Sequence, residues 1–236
     1  MCGVIGVSLD NPTEEQLTVV DNVMRESAIR GRHASGISYT GKHGMVTFKD
    51  AIPIDELSEK IPSRTLITDN KISMIAHSRY STSDIHSHQP VGNKDTSIVL
   101  NGVISQEPRS MWEELYGYRG YTSNDASLLV SCIEEEKHPL VEFPEASIAA
   151  CVLNKGGDLT FFRNGKRPLW YAEYQEGVIV ASTRDILERS GVSSMIISKV
   201  EPFTNYTKIY NYSSYLTIPV SSGEDLQIKY NYKDKV

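Results

Sequence analysis

Residues 1–10 read MCGVIGVSLD, a stretch that joins a reactive side chain to a segment expected to be well anchored. Cys2 directly follows the initiator methionine, at a position where chain ends are usually frayed and a thiol is rarely needed for packing. The apolar run from Val4 to Leu9 predicts a β-strand that draws this end of the chain into a sheet. A thiol carried by an anchored strand is therefore the first candidate for chemistry.

The composition is that of an ordinary globular protein with one large domain, or a domain with a small appendage. The 236 residues carry a net charge of -6 without a long run of Lys or Arg, so we do not expect nucleic acid as the main ligand. No stretch has the length of a membrane span and the first residues lack the layout of a signal peptide, which predicts a cytoplasmic protein without membrane attachment. The three cysteines form no CxxC pair, so they are expected to be reduced, with Cys132 and Cys151 in the core.

The predicted elements run β, then α, then mostly β with two central helices. Helices are predicted for residues 13–30, where Thr13 and Gln16 can form a capping box, and for 54–60, 109–117, 124–136 and 183–190. Turn signals at 155–158 and at Asn164-Gly165 predict two hairpins in a meander that ends near residue 182. This order lacks the βα alternation of a parallel sheet and predicts an α+β fold, with antiparallel sheets packed together and helices outside.

Four polar clusters lie at the ends of predicted strands or helices, where functional groups gather in loops. Each one alone has a structural explanation, such as a helix end, a buried strand histidine or a hairpin turn. The clusters are Cys2-Gly3, Arg30-Gly31-x-His33-x-x-Gly36, the run from His77 to Thr82, and Asn101-Gly102.

In their order along the chain, these clusters resemble the glutaminase domain of class II glutamine amidotransferases, the family of amidophosphoribosyltransferase, glucosamine-6-phosphate synthase and asparagine synthetase. The resemblance implies a four-layer αββα N-terminal-nucleophile hydrolase fold with two stacked, mainly antiparallel sheets flanked by helices. It covers residues 2–190 and leaves 191–236 as a β-rich extension that completes the domain or forms a partner interface. The matching segments are MCGVIGV, IRGRHASGI, AHSRYST, SHQP, VLNGVI, YTSNDAS, RNGKRPLWY and VIVASTRDIL.

The resemblance gives the cysteine at the chain end a chemical purpose. A thiol with an ordinary pKa of about 8.5 needs a base to become a strong nucleophile near neutral pH. If Met1 is removed, Cys2 carries that base itself, because its free α-amine has a pKa of roughly 7.7 to 8.0. The expected reaction is hydrolysis of L-glutamine to L-glutamate and ammonia through a Cys2 glutamyl thioester.

The resemblance also implies roles for the polar clusters. The Asn101 side-chain amide and the Gly102 N–H would stabilise the oxyanion that forms on attack. The planar fork of Arg79 suits the α-carboxylate of glutamine, and Asp125 would bind the α-ammonium group. Arg30 would brace the surroundings of the nucleophile. The implied substrate-binding set is completed by Gly31, Tyr80, Ser81, Thr82 and Gln89.

Other interpretations of these residues stay open on the sequence alone. Asp125 could complement a helix dipole, and Arg79 could form a surface ion pair. His86 and His88 could suggest a metal pair, but no third ligand cluster accompanies them, and the resemblance implies neither a metal nor another cofactor. We expect their segment to be a loop that closes over glutamine.

The leading functional hypothesis is a stand-alone glutaminase subunit that passes ammonia to a separate synthetase or transferase, since the family pattern fades well before residue 236. The acceptor could be a nucleobase- or nucleotide-modifying enzyme or an ATP-dependent amidating enzyme, and a homo-oligomer stays open. Two alternatives keep the fold: an amidase for another linear amide, and a catalytically idle module that senses glutamine.

Overall fold

The fold consists of two antiparallel sheets stacked face to face, with helices on their outer sides. The computed structural model describes residues 1–81, 88–209 and 215–220. The strands are β1 Gly3–Asp10, β2 Ala34–Gly41, β3 Gly44–Asp50, β4 Lys71–Arg79, β5 Val91–Gly92, β6 Thr96–Leu100, β7 Ala149–Asn154, β8 Leu159–Arg163, β9 Trp170–Tyr174, β10 Gly177–Ala181, β11 Ile197–Lys199, β12 Thr204–Lys208 and β13 Tyr215–Pro219. The α-helices are α1 Glu14–Glu26, α2 Ile54–Lys60, α3 Trp112–Tyr116, α4 Ala126–Glu134, α5 Pro139–Glu142 and α6 Arg184–Arg189.

The strand order places β1 in the interior of the larger sheet. That sheet runs β11-β9-β10-β1-β4-β2-β3, and the smaller one runs β13-β12-β8-β7-β6-β5. β1 pairs with β10 on one edge and with β4 on the other, in a register that sets Gly3 opposite Ser78. Because both edges of β1 are paired, the residue directly before it is held at a fixed place at one end of the sheet.

Three apolar clusters separate the layers. One fills the space between the larger sheet and helices α1, α2 and α6, and a second lies between the smaller sheet and α3 to α5. The third lies between the two sheets and contains Val4, Val99 and Phe161. The described residues therefore form helix, sheet, sheet and helix layers, and the predicted α+β arrangement of stacked antiparallel sheets is confirmed.

The first helix begins as the sequence predicts. Thr13 accepts a hydrogen bond from the Gln16 backbone N–H, and the Gln16 side chain accepts one from the Thr13 N–H, which completes the capping box. The regular helix ends at Glu26, and Ser27–Arg30 continue as a 3₁₀ turn. This tight turn brings Arg30 back toward the start of β1.

The prediction of a hairpin at Asn164-Gly165 is wrong. β8 is already paired with β7 and β12, so the chain cannot turn back beside it and instead crosses to the larger sheet, where β9 pairs with β10. The Asn164 side chain is buried, accepting from the Ile148 N–H at 3.1 Å and donating to the Ala146 carbonyl at 2.6 Å. Asn164 therefore fastens the crossover to the segment that leads into β7.

The last described strands add to both sheets. β11 pairs with β9 in the larger sheet, while β12 pairs with β8 and β13 pairs with β12 in the smaller sheet. Within the residues that the structure describes, no helix is long and apolar enough to cross a membrane. Residues 82–87, which include the predicted closing loop, lie outside the described residues, as do 210–214 and 221–236.

Candidate active site

Cys2 lies at the end of the larger sheet, directly before β1. Its Sγ is 3.9 Å from the Tyr80 carbonyl oxygen, and its own carbonyl accepts a hydrogen bond from Arg30 Nε at 3.4 Å. The strand that follows is held from a second direction, because the Val4 N–H donates to Ser182 Oγ at 2.8 Å. The backbone that carries the thiol is therefore held by hydrogen bonds at Cys2 and at Val4.

Arg79 ends β4 and is buried, with 8% of its surface exposed. Its Nη1 lies 3.2 Å from Nδ1 of His88, so the imidazole nitrogen can accept from the guanidinium. Burial of this arginine does not fit the alternative of a surface ion pair. A buried guanidinium is suited to a planar, bidentate anion such as a carboxylate.

Gly31 allows two backbone segments to meet beside the thiol. A Cβ on this residue would lie 2.2 Å from the Arg79 carbonyl carbon and 2.3 Å from the Tyr80 backbone nitrogen. Only glycine permits that approach. The contact joins the turn that carries Arg30 to the end of β4, so both arginines are positioned by one backbone crossing.

The end of β4 is held by a histidine. His33 Nδ1 accepts the Ser81 N–H at 2.8 Å, and the backbone N–H of His33 donates to the Arg79 carbonyl. The ring centres of His33 and Tyr80 are 5.2 Å apart. Tyr80 keeps 51% of its surface exposed, which leaves its ring at the rim of the site. Thr82, predicted as a substrate-binding residue, lies outside the described residues.

Asn101 and Gly102 follow β6 in the smaller sheet. Asn101 is 3% exposed, its backbone pairs with Ala149, and its Nδ2 is buried with no hydrogen-bond partner among the described residues. A Cβ on Gly102 would lie 1.8 Å from the Ser147 carbonyl oxygen, so a side chain cannot fit there. A buried amide donor without an acceptor is costly and calls for an explanation.

Gln89 supports this strand end, although the resemblance implied a role in substrate binding. Its Oε1 accepts the Leu100 N–H at 2.6 Å, and the side chain is buried. Since Leu100 directly precedes Asn101, Gln89 positions the predicted oxyanion donors. The contact occupies its side-chain oxygen in the described structure.

Asp125 precedes α4 without capping it by a side-chain hydrogen bond. Its Oδ2 accepts the Ile104 N–H at 2.6 Å and the Ser105 N–H at 3.3 Å. Burial raises the pKa of Asp125, and the Ile104 and Ser105 N–H groups oppose that rise. The carboxylate thus fastens the segment that follows Gly102, a contact that the sequence analysis did not foresee.

His77 is a buried residue of β4, two positions before Arg79. It is 1% exposed on β4, and neither ring nitrogen has a hydrogen-bond partner of normal geometry among the described residues. Burial lowers the pKa of His77 to about 3, the Arg79 guanidinium adds to the lowering, and the Leu100 carbonyl opposes it. His77 is therefore neutral in the folded protein near pH 7.

The two other cysteines are core residues, as predicted. Cys132 and Cys151 are buried and free, and burial raises the pKa of both thiols, that of Cys132 to about 12. Within the described residues, no three His, Cys, Asp or Glu side chains gather so that they could hold a metal ion. His86 lies outside those residues, and His88 contacts Arg79.

Residues that the sequence analysis did not single out also belong to the site. Arg167 reaches the chain end, with its Nη1 3.7 Å from Met1 Sδ, and Ser182 holds the Val4 N–H. Both lie in segments quoted for the family resemblance, but only the tertiary structure shows what they contact. These strand ends offer a thiol, a buried amide donor without a partner among the described residues, and a buried guanidinium.

The low pKa of His77 predicts a pH-dependent loss of stability. The unfolded chain takes up a proton near pH 6.5, whereas the folded protein does so only near pH 3. The free energy of unfolding should therefore fall on acidification through this window, by about 1.7 kcal/mol between pH 6.5 and 5. Urea unfolding at both pH values should show a smaller loss in His77→Gln than in the parent.

The exposed His43 provides the matched control. His43→Gln should keep the pH dependence of the parent, because it changes an exposed side chain and leaves the buried His77 in place. Equal pH dependence in His77→Gln and His43→Gln would contradict the assignment of a buried neutral imidazole.

Comparison with known proteins identifies the architecture. The B. subtilis glutamine phosphoribosylpyrophosphate amidotransferase complexed with ADP and GMP superposes with a TM-score of 0.71 at 19% identity, covering 94% of this chain and 50% of that one. A structure described as the allosteric regulatory enzyme of purine biosynthesis gives 0.69 at 19% identity with the same coverage. A glutamine aminotransferase class-II domain protein from Silicibacter pomeroyi gives 0.54 at 10% identity, covering 94% of this chain and 100% of that one.

These likenesses confirm the N-terminal-nucleophile hydrolase fold, and the chain spans about half the length of the first two of these proteins. No curated protein matches the sequence significantly. The model of one family, described as a glutamine amidotransferase domain, matches residues 53–218, well over half of the chain. With this match and the class II fold, the chain belongs to the glutamine amidotransferase domain family.

Proposed function

We propose that this chain hydrolyses L-glutamine to L-glutamate and ammonia, with Cys2 as the nucleophile. The observation that carries the proposal is the buried Asn101 Nδ2, a donor without a partner in the described structure, at the strand end beside Gly102. Such a donor is suited to an oxygen that gains negative charge during a reaction. An attack on a carboxamide carbon by the Cys2 thiol creates that oxygen.

The first half-reaction begins once Met1 has been removed. The free α-amine of Cys2 takes the thiol proton while Sγ bonds to the δ-carbon of glutamine, and the carbonyl electrons move to oxygen. Asn101 Nδ2 and the Gly102 N–H donate to that oxygen. When the tetrahedral intermediate collapses, the C–N bond breaks. The protonated α-amine of Cys2 gives its proton to the leaving nitrogen, which departs as ammonia.

The second half-reaction releases glutamate from the thioester. Water attacks the same carbon while the α-amine accepts one of its protons, and the oxyanion again forms beside Asn101 and Gly102. Collapse breaks the C–S bond, and the proton returns to sulfur. The site is regenerated without any redox step.

Recognition of the amino-acid head group depends on Arg79. Its guanidinium would pair with the α-carboxylate, while His88 holds Nη1 from the side. Asp125 can contribute its carboxylate to the α-ammonium group, although its Oδ2 also accepts the Ile104 and Ser105 N–H groups. Binding of substrate and positioning of the loop after Gly102 would then share one side chain.

Replacement of Cys2 tests the nucleophile. Glutamate release from L-glutamine by the methionine-trimmed protein should be abolished in Cys2→Ala, since the variant has no thiol to form the thioester. Cys132→Ala is the matched control, because it removes a buried thiol far along the chain and should keep turnover. Turnover by Cys2→Ala would contradict the mechanism, and turnover by neither the parent nor the control would favour an amidase for another substrate or an idle sensor.

Replacement of Asn101 tests the oxyanion donor. Asn101→Ala should lower kcat by roughly 10²- to 10³-fold with little change in KM, because the donor acts on charge that exists only in the transition state. Asn101→Asp keeps the shape but offers an acceptor, so its loss should be at least as large. Steady-state kinetics within about threefold of the parent for Asn101→Ala would show that this amide is not the donor.

We also propose that the ammonia is used outside residues 1–236, by a separate synthetase or transferase. The proposal is supported by two solved structures of similar fold, whose chains are about twice as long as this one. The purified chain should hydrolyse glutamine without aminating added acceptors. A mixture of the chain with its partner should transfer the ammonia to the acceptor. Glutamine-dependent amination by the purified chain alone, measured by ¹⁵N transfer from amide-labelled glutamine, would contradict it.

A further inference from the structure

Arg167 is a second arginine at the reactive end of the chain. It lies in the crossover from β8 to β9, and its Nη1 is 3.7 Å from Met1 Sδ. Arg163 Nη1 donates to the Arg167 carbonyl at 3.4 Å, and Arg163 is itself buried with its Nε bonded to the Val200 carbonyl. The backbone that carries Arg167 is thus held from inside the protein.

Two guanidiniums near the chain end carry buried N–H donors. Arg167 Nε and Arg30 Nη2 are both buried, and neither has a hydrogen-bond partner among the described residues. Burial lowers the pKa of Arg30, Cys2 opposes the lowering, and Arg167 adds to it by repulsion between like charges. Holding two such cations together opposes folding, so their placement calls for a function in the site.

The group that both cations share is the chain end. Arg30 Nε contacts the Cys2 carbonyl, and Arg167 contacts the residue directly bonded to Cys2. Removal of Met1 removes the thioether that Arg167 Nη1 contacts and creates a free α-amine at Cys2. Nearby positive charge stabilises a thiolate and disfavours a protonated amine.

We propose that Arg167 is an electrostatic partner of the N-terminal nucleophile, keeping the Cys2 amine unprotonated and favouring the thiolate. The inference rests on the proposed function only in taking Cys2 as the nucleophile. It does not depend on glutamine as the substrate. Arg167 acts through Cys2 and is therefore a positioning residue.

The test measures the reactivity of Cys2 without any substrate. Methionine-trimmed protein is treated with iodoacetamide between pH 5.5 and 9, and alkylation of the N-terminal peptide is followed by mass spectrometry. Arg167→Met should move the midpoint of the alkylation profile up by about one pH unit, because the stabilising charge is lost. At pH 6.5 the rate should fall only about threefold, since a more basic thiolate is also a stronger nucleophile.

Two further variants separate charge from structure. Arg167→Lys retains the charge and should keep the midpoint of the parent. Arg119→Met removes an exposed arginine paired with Glu113, and it should leave the profile unchanged. The inference is overturned if Arg167→Met behaves like Arg119→Met, or if Arg167→Lys shifts the profile as far as Arg167→Met does.

The outcomes also distinguish this inference from the proposed function. A shifted alkylation profile in a protein that does not hydrolyse glutamine would support the role of Arg167 and contradict the substrate alone. Normal glutaminase activity with an unshifted alkylation profile in Arg167→Met would support glutamine as the substrate and contradict the role of Arg167. The buried Cys132 and Cys151 do not compete for reagent in the folded protein, and Cys2→Ala provides the blank.

Discussion

Backbone hydrogen bonds along both edges of β1 hold the start of the chain inside the larger sheet. β10 and β4 pair with it in continuous register, and Ser182 binds the Val4 N–H as well. Chain ends normally fray and lose the geometry that a reaction needs. Here Gly3 pairs with Ser78 of β4 and Ser182 binds Val4, so the strand that carries Cys2 belongs to the sheet from its first residue.

The site contains buried polar and charged side chains whose burial opposes folding of the two-sheet scaffold. His77 and the Asn101 amide are buried without full partners, and the guanidiniums of Arg30 and Arg167 lie beside each other. Each is costly in a protein interior. The apolar clusters on both sides of each sheet must offset that cost, so stability and reactivity are in competition within one domain.

The sequence predicts local elements and buried positions better than it predicts which residues touch across the fold. The strand at Val4–Leu9, the capping box at Thr13 and the core positions of Cys132 and Cys151 follow from local patterns, and the structure has them. The crossover at Asn164 could not be predicted, because a turn signal does not tell which sheet receives the next strand. A hairpin and a crossover can begin with the same dipeptide.

The hydrogen bonds within the site could not be predicted from local sequence patterns either. Gln89 and Asp125 lie in segments that resemble family motifs, yet their described partners are the Leu100, Ile104 and Ser105 amides. Pairings of this kind depend on how two sheets stack, which no local pattern specifies. Arg167 is separated from the chain end by most of the sequence, so only the fold brings them together.

The interior position of β1 also determines when the site fails. Amide groups in a strand paired on both edges exchange with solvent only when much of the sheet opens. Fluctuations confined to exposed side chains leave the pairing of β1 with β4 and β10 intact. Opening of the larger sheet at β1 therefore also displaces Cys2, so the position of the nucleophile is lost together with the sheet.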